Sequence, residues 1–216
     1  GYLGMAQVFR EALADRRRSP GTDLISALVQ ARDADASLTE LQVISLCTQL
    51  MVAGNVTTTD LMGNGIYALL THPQQLAWLL DHPAAVPDAV EEMLRYDCPI
   101  TETARIALVE DRYAGCPAHP GDTFTLSLSA ANRDPAVFDK PHEFDLQRVP
   151  QNHVGFGSGI HVCLGAPLAR MESQIGLGEF LARYPAFALD EARPGRRRAL
   201  PFFRGFETLP LNMLQR

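Results

Sequence analysis

Cys163 lies in the segment Phe156-Gly157-Ser158-Gly159-Ile160-His161-Val162-Cys163-Leu164-Gly165, between glycines and just ahead of an apolar run at helical spacing. A cysteine acts as a metal ligand in its thiolate form. The start of a helix favours that form, because unpaired N–H groups there carry a partial positive charge. The glycines add a second property, since backbone without side chains lets a flat macrocycle approach closely. Together these residues suit a buried thiolate ligand, although a cysteine on its own is more often an inert core residue.

Two further groups of residues have spacing that could serve chemistry. Ala53-Gly54-Asn55-Val56-Thr57-Thr58-Thr59 places poor helix formers in the middle of a long helical pattern. There Gly54 leaves room against the backbone, and threonines can divert helical carbonyls and open the ladder locally. Glu92 and Arg95 stand three residues apart on a predicted helix, which puts opposite charges on one face. In isolation such a pair is usually a solvated bridge.

The elements that must hold these groups are mostly helical. Tyr2 to Arg18 reads as a helix already under way, and Leu24, Ile25, Leu28 and Val29 follow the N-cap signal Thr22-Asp23. Ser37-Leu38-Thr39-Glu40 predicts a capping box, after which Leu41, Ile44, Cys47, Leu50, Met51, Leu61, Met62, Gly65 and Leu69 keep helical spacing. Unbroken to Leu70, that helix is about 45 Å long. Pro73 and Pro83 bracket another helix, and Pro87-Asp88 opens one that runs through Tyr96. Residues 103–128 predict two or three short strands around Gly115 and Pro120-Gly121, and residues 131–159 a long irregular connection. Leu164, Leu168, Met171, Ile175 and Phe180 predict the helix after Cys163, and a strand-like pair lies between Leu200 and Met213. The fold class is mainly α with small β-sheets (α+β).

Composition closes off several classes of function. With 46% hydrophobic and 20% charged residues, the 216-residue chain is an ordinary globular one. A net charge of -6 gives nucleic-acid binding no support, and the runs Arg16-Arg17-Arg18 and Arg196-Arg197-Arg198 read as solvated faces. No apolar stretch approaches the roughly 20 residues needed to span a bilayer, so no membrane association is expected and the reading is cytoplasmic. Cys47, Cys98, Cys116 and Cys163 form no C-x-x-C pair, which predicts neither a zinc site nor a disulfide framework.

The cysteine segment resembles, nearly residue for residue, the F-x-x-G-x-H-x-C-x-G motif of the cytochrome P450 family, and other motifs of that family follow in order. Glu92-Met93-Leu94-Arg95 resembles its E-x-x-R, and Ala53 to Thr58 its A-G-x-[DE]-T-T. The resemblance implies the carboxyl-terminal half of that fold, with its long oxygen-activation helix and cysteine-ligand loop. Residues 1–216 are then a single partial domain, the haem-binding half, with an amino-terminal half absent. Gly1 in place of methionine agrees with a piece of a longer product.

By the same resemblance the cofactor is haem b, with Cys163 as its iron ligand. Phe156, Gly157 and Gly165 flank it on the cysteine side, Ala53 and Gly54 lie on the oxygen side, and Arg105 and His161 hold the propionates. A buried dicarboxylate requires such donors. Glu92, Arg95 and Arg148 form a structural cluster. Thr57 is the catalytic threonine, whose hydroxyl holds a water and helps protons reach the oxygen so that the O–O bond breaks heterolytically, assisted by the thiolate. The family's acid before that threonine is Val56 here, which relays no proton; Asp60 lies a turn further on and does not inherit the role. Substrate contacts implied are Ala53, Gly54, Thr58, Ile100, Thr101, Phe202 and Phe203, a largely apolar set that suits a terpenoid, steroid or polyketide-like molecule.

The implied activity is a monooxygenase that inserts one atom of O2 into a hydrophobic organic substrate. A separate ferredoxin and its reductase supply electrons, since the chain has no flavin or iron–sulfur motif. Two other readings are a truncated, non-catalytic haem-binding or haem-free domain, and a peroxide-driven haem enzyme, which Val56 favours.

Overall fold

The computed structural model describes residues 2–35, 38–113, 115–148, 152–200 and 202–213. The chain divides into two compact units, Gly1–Val56 and Thr57–Arg216.

In the first unit, helices α1 (Tyr2–Arg18) and α2 (Leu24–Asp35) accompany the beginning of α3 (Glu40–Thr71). Leu13, Val29, Val43, Ile44 and Cys47 form the core, with Phe9, Ile25 and Leu28 packed against it. The start of α3 differs in detail from the sequence reading. Its capping box is reciprocal between Thr39 and Gln42: the Gln42 amide donates to Thr39 Oγ1 at 3.3 Å and the Thr39 amide to Gln42 Oε1 at 2.8 Å. Ser37, the predicted cap, lies outside the described residues. The Arg16–Arg18 run is paired with acids rather than simply solvated, for Arg16 meets Asp23, Arg17 meets Glu40 at 2.9 Å and Arg18 meets Asp15.

α3 is continuous over 32 residues, about 48 Å, through the poor helix formers at 53–59. Leu41, Leu50 and Met51 on it are exposed, contrary to the single apolar stripe expected, whereas Val43 and Ile44 are buried. Its second half belongs to the second unit. There Leu61, Ala68 and Leu69 join the core with residues of α4 (Pro73–Asp81), α5 (Val86–Tyr96) and α7 (Ala166–Arg183). α5 is the most amphipathic element, burying Val86, Ala89, Val90, Met93 and Leu94 on one side. The expected stripe on α7 is also reversed, with Leu168, Met171 and Ile175 exposed and Ser173, Leu177 and Leu181 buried.

Among the described residues, four two-stranded antiparallel sheets complete the unit. β1 (Glu102–Ile106) pairs with β4 (Thr123–Ser127), and β2 (Asp111–Tyr113) with β3 (Cys116–Ala118), so residues 102–127 contain four strands where two or three were predicted. The short helix α6 (Leu128–Ala131) follows, capped by Ser127 Oγ. β5 (Phe187–Leu189) pairs with β8 (Leu211–Met213), and β6 (Arg196–Arg197) with β7 (Phe206–Thr208). The two strands anticipated near the carboxyl end therefore pair with earlier segments and not with each other. Among the described residues no helix is long and apolar enough to cross a membrane.

Candidate functional site

The cysteine loop is shaped by its backbone. Gly157 and Gly159 adopt φ of 72° and 71°, in the left-handed region where a side chain is strained. The Cys163 amide donates to the Phe156 carbonyl at 2.9 Å, and the Cys163 carbonyl accepts from the Ala166 amide at 3.2 Å, at the first residue of α7. The thiol is exposed rather than buried, because these bonds tie down the backbone while Ile160, Val162 and Leu164 point outward beside it, Ile160 at 95% exposure. Gly165 lies beside the sulfur, where a Cβ would make an ordinary contact at 3.9 Å from Sγ. Phe156 is half-buried under the loop, and His161 is exposed in the 3-10 turn Gly159–His161.

Arg105 sits in the middle of β1 opposite Phe124 and is half-buried. Among the described residues its guanidinium donates from Nη1, to Thr103 Oγ1 at 3.1 Å and the Ala104 carbonyl at 2.8 Å. The guanidinium is thus steadied locally and still has donors to offer. Among the described residues no three His, Cys, Asp or Glu side chains gather as a metal cluster. An open thiol at a helix start, glycines on either side, outward apolar side chains and separate cationic or hydrogen-bonding groups fit an apolar, flat, anionic-edged metal macrocycle.

Glu92 and Arg95 are both buried. Arg95 spends all five guanidinium hydrogens: Nε and Nη2 reach the two Glu92 oxygens at 2.7 and 2.8 Å, and the others reach the carbonyls of Asn132, Pro141 and Glu143 at 2.8–2.9 Å. Glu92 also accepts from the Asp145 amide at 3.0 Å and lies 3.4 Å from Arg148 Nε. This cluster pins the irregular stretch after residue 131 onto α5.

Four of the predicted substrate contacts come together. Ile100 and Phe203 form an antiparallel bridge, and the Thr101 amide donates to the Phe202 carbonyl at 3.2 Å. Behind them is a polar device that sequence reasoning missed. Asn64 on α3, buried, donates through Nδ2 to the Asp97 and Arg204 carbonyls at 3.0 and 2.8 Å and accepts from Arg197 at 2.7 Å. Arg197 also reaches Asp97 at 3.3 Å and stacks on Phe206 at 3.8 Å. Arg198 meets Asp60 at 3.0 Å. The Arg196–Arg198 run is therefore not a solvated face: two of its three cations serve buried acids and an amide. Asp60, fully buried, is held by this pairing three residues beyond Thr57. Thr57 and Thr58 are half-buried, while Ala53 and Gly54, in the first unit, are exposed, with nothing within 4 Å of a Cβ at Gly54.

A second missed group lies on the other side of α5. Glu91 meets Arg170 of α7 and His153, the residue three before Phe156. No local signal reveals it, since the partners are 62 and 79 residues away in sequence.

The family model of cytochrome P450 matches residues 85–199, more than half of the chain. The chain belongs to the cytochrome P450 family. It is 42% identical over 203 residues to the biotin biosynthesis cytochrome P450 of Bacillus subtilis (strain 168), covering 94% of this chain and 51% of that protein. To the 6-deoxyerythronolide B hydroxylase of Saccharopolyspora erythraea it is 41% identical, covering 93% and 50%. Among solved structures, P450BioI in complex with an acyl carrier protein superposes with a TM-score of 0.91 at 40% identity, over 98% of this chain and 54% of that one. The tirandamycin C-bound P450 monooxygenase TamI gives 0.92 at 37%, over 98% and 54%. The chain thus spans about half the length of its P450 relatives, and its fold is the mainly helical carboxyl-terminal half of theirs. Haem is the cofactor of P450 family members.

Proposed function

We propose that the protein to which these residues belong is a haem-thiolate monooxygenase, in which Cys163 ligates the iron of haem b and an oxygen atom of O2 is inserted into a hydrophobic substrate. The observation that carries this reading is the open thiol at the head of α7, framed by left-handed glycines, in a chain of the P450 family. Haem supplies the reductive activation of O2 when it is bound. Arg105 and His161 hold its propionates by charge and hydrogen bonding; Phe156, Gly157 and Gly165 fit the cysteine side, and Ala53 and Gly54 the oxygen side. Glu92, Arg95 and Arg148 keep the scaffold behind the loop in register.

Thr57 holds a water through its hydroxyl and passes a proton from it. Val56 relays none and Asp60, which pairs with Arg198 through Oδ1 and lies a turn beyond the motif's acid, does not inherit the role, so protons arrive through water or a substrate hydroxyl. Ala53, Gly54, Thr58, Ile100, Thr101, Phe202 and Phe203 contact a largely apolar substrate. Relatives whose names or complexes mention a polyketide, an acyl chain on its carrier protein or testosterone support that class. Electrons come from a ferredoxin and its reductase in the cytoplasm. Val56 favours a second reading in which peroxide replaces O2 and the electron donors.

Loading the chain with hemin and recording the reduced carbon-monoxide spectrum tests the ligand. A red-shifted Soret band that Cys163→Ser abolishes is the expected result, and an unshifted band in the wild type overturns it. Product formed with peroxide but not with ferredoxin selects the second reading.

A further inference from the structure

Glu91 and Glu92 stand side by side on α5 and serve different partners. Arg170 donates to both Glu91 oxygens, from Nε at 2.7 Å and Nη2 at 2.9 Å, the fork geometry of a strong pair. His153, its side chain only 4% exposed, places Nε2 2.9 Å from the same carboxylate. Its other nitrogen, Nδ1, lies 3.1 Å from the Gly155 amide, which can only donate. Nδ1 therefore carries the lone pair and Nε2 the proton, so a neutral imidazole donates to Glu91. One carboxylate, one guanidinium and one neutral ring leave the group without net charge.

This group is joined to the cysteine through short links. The Arg170 guanidinium stacks on the Phe156 ring at 4.7 Å. Phe156 supplies the carbonyl to which the Cys163 amide donates. Between His153 and Phe156, the Val154 amide donates to Asn132 Oδ1 at 2.7 Å, and Gly155 crosses α5 so closely that a Cβ would stand 3.0 Å from the Leu94 carbonyl. Side chains from α5 and α7 thus grip residues 153–156, and their backbone in turn grips Cys163.

We infer that Glu91, with Arg170 and His153, is a positioning group that fixes the cysteine loop in its ligand-ready shape in the chain itself, before a cofactor binds. A solvated ion pair would contribute little here. A bidentate pair that also orders a buried histidine and an aromatic ring holds several groups at once. Only the functional meaning of the loop rests on the monooxygenase reading; the mechanical claim does not.

Amide hydrogen exchange in the full 216-residue chain without haem tests the claim. In Glu91→Ala the Cys163 amide should exchange at least about ten-fold faster, while the Arg105 and Phe124 amides of the β1–β4 pair keep their wild-type rates. Arg170→Gln breaks the same grip from a partly exposed residue and stays informative if Glu91→Ala folds poorly; about three-fold faster exchange at Cys163 alone is expected there. A Cys163 amide within two-fold of wild type in both variants overturns the inference. So does equal acceleration of the β1–β4 amides, which marks a merely global loss of stability. Because the measurement needs no cofactor, a wild-type chain lacking the thiolate spectrum would sink the proposed function and leave this result to stand or fall by itself.

Discussion

Around Glu92 and Arg95 charged groups are withdrawn from water and every guanidinium hydrogen of Arg95 has an acceptor, while twenty residues beyond Glu143 the loop of Cys163 turns a thiol and three apolar side chains outward. Both regions consist of irregular backbone lying against α5. In the first, a side-chain fan takes the place of the missing secondary structure by serving carbonyls one at a time. In the second, glycine conformations and two backbone hydrogen bonds fix the shape and leave the side-chain surface free. The difference separates groups spent on holding the fold from groups left available for a ligand, and it predicts where mutations cost stability and where they cost only chemistry.

The hardest test of that contrast is Arg95→Ala. It leaves the buried Glu92 with only Arg148 at 3.4 Å and the Asp145 amide as partners and takes a donor from each of three carbonyls, for a loss of about 3–5 kcal/mol in chemical denaturation at neutral pH. A loss below about 1 kcal/mol would mean that water already serves the fan, and the contrast would fail.

Asn64→Leu asks whether the same logic holds behind the predicted substrate loops. Leucine fills similar space but removes donors to the Asp97 and Arg204 carbonyls and the acceptor for Arg197, so a loss of about 2–3 kcal/mol is expected from the same measurement. The backbone hydrogen bond from the Arg204 amide to Pro99 should lose protection in hydrogen exchange alongside it.

What the sequence revealed followed the range of the interaction. Cys163 before a helix, Glu92 and Arg95 at i and i+3, and the proline-bounded helices are local patterns, and each stands in the structure where its spacing implied. Periodicity did not say which stripe of a helix meets the core. On α7 the stripe of larger residues, Leu168, Met171 and Ile175, faces outward, while small Ala166 and Ser173 share the buried side with Leu177 and Leu181. The roles of Arg197 and Arg198 were hidden because a basic run looks alike whether solvated or paired with Asp97 and Asp60 more than 90 residues away. Glu91 escaped for the same reason. Thr57, Arg105 and His161 were assigned toward a cofactor by motif resemblance alone.

Acid should find Glu91 next. Burial alone would push its carboxyl up, but hydrogen bonds from His153 and Arg170 outweigh that and hold it at about 2, below its ordinary 4.5. A carboxyl depressed in the folded state adds stability above its unfolded pKa and loses it as pH falls between about 4.5 and 2. Because the site is partly in contact with water, about 1–2 kcal/mol is the expected size. The stability gap between wild type and Glu91→Gln should therefore be full above pH 5 and close toward about pH 2, and a gap independent of pH would remove the charge from the account.

The smallest effect is expected at the residue proposed to ligate the iron. Cys163→Ser exchanges one exposed atom for another at a residue whose backbone bonds run to Phe156 and Ala166 and do not involve sulfur. No buried contact is lost, so the change in stability should stay within about 0.5 kcal/mol. A loss near that of Arg95→Ala would show that the sulfur helps to hold the fold and would merge the two regions into one. A silent substitution that still removes thiolate ligation separates them completely, since the fold then spends nothing on the atom it presents.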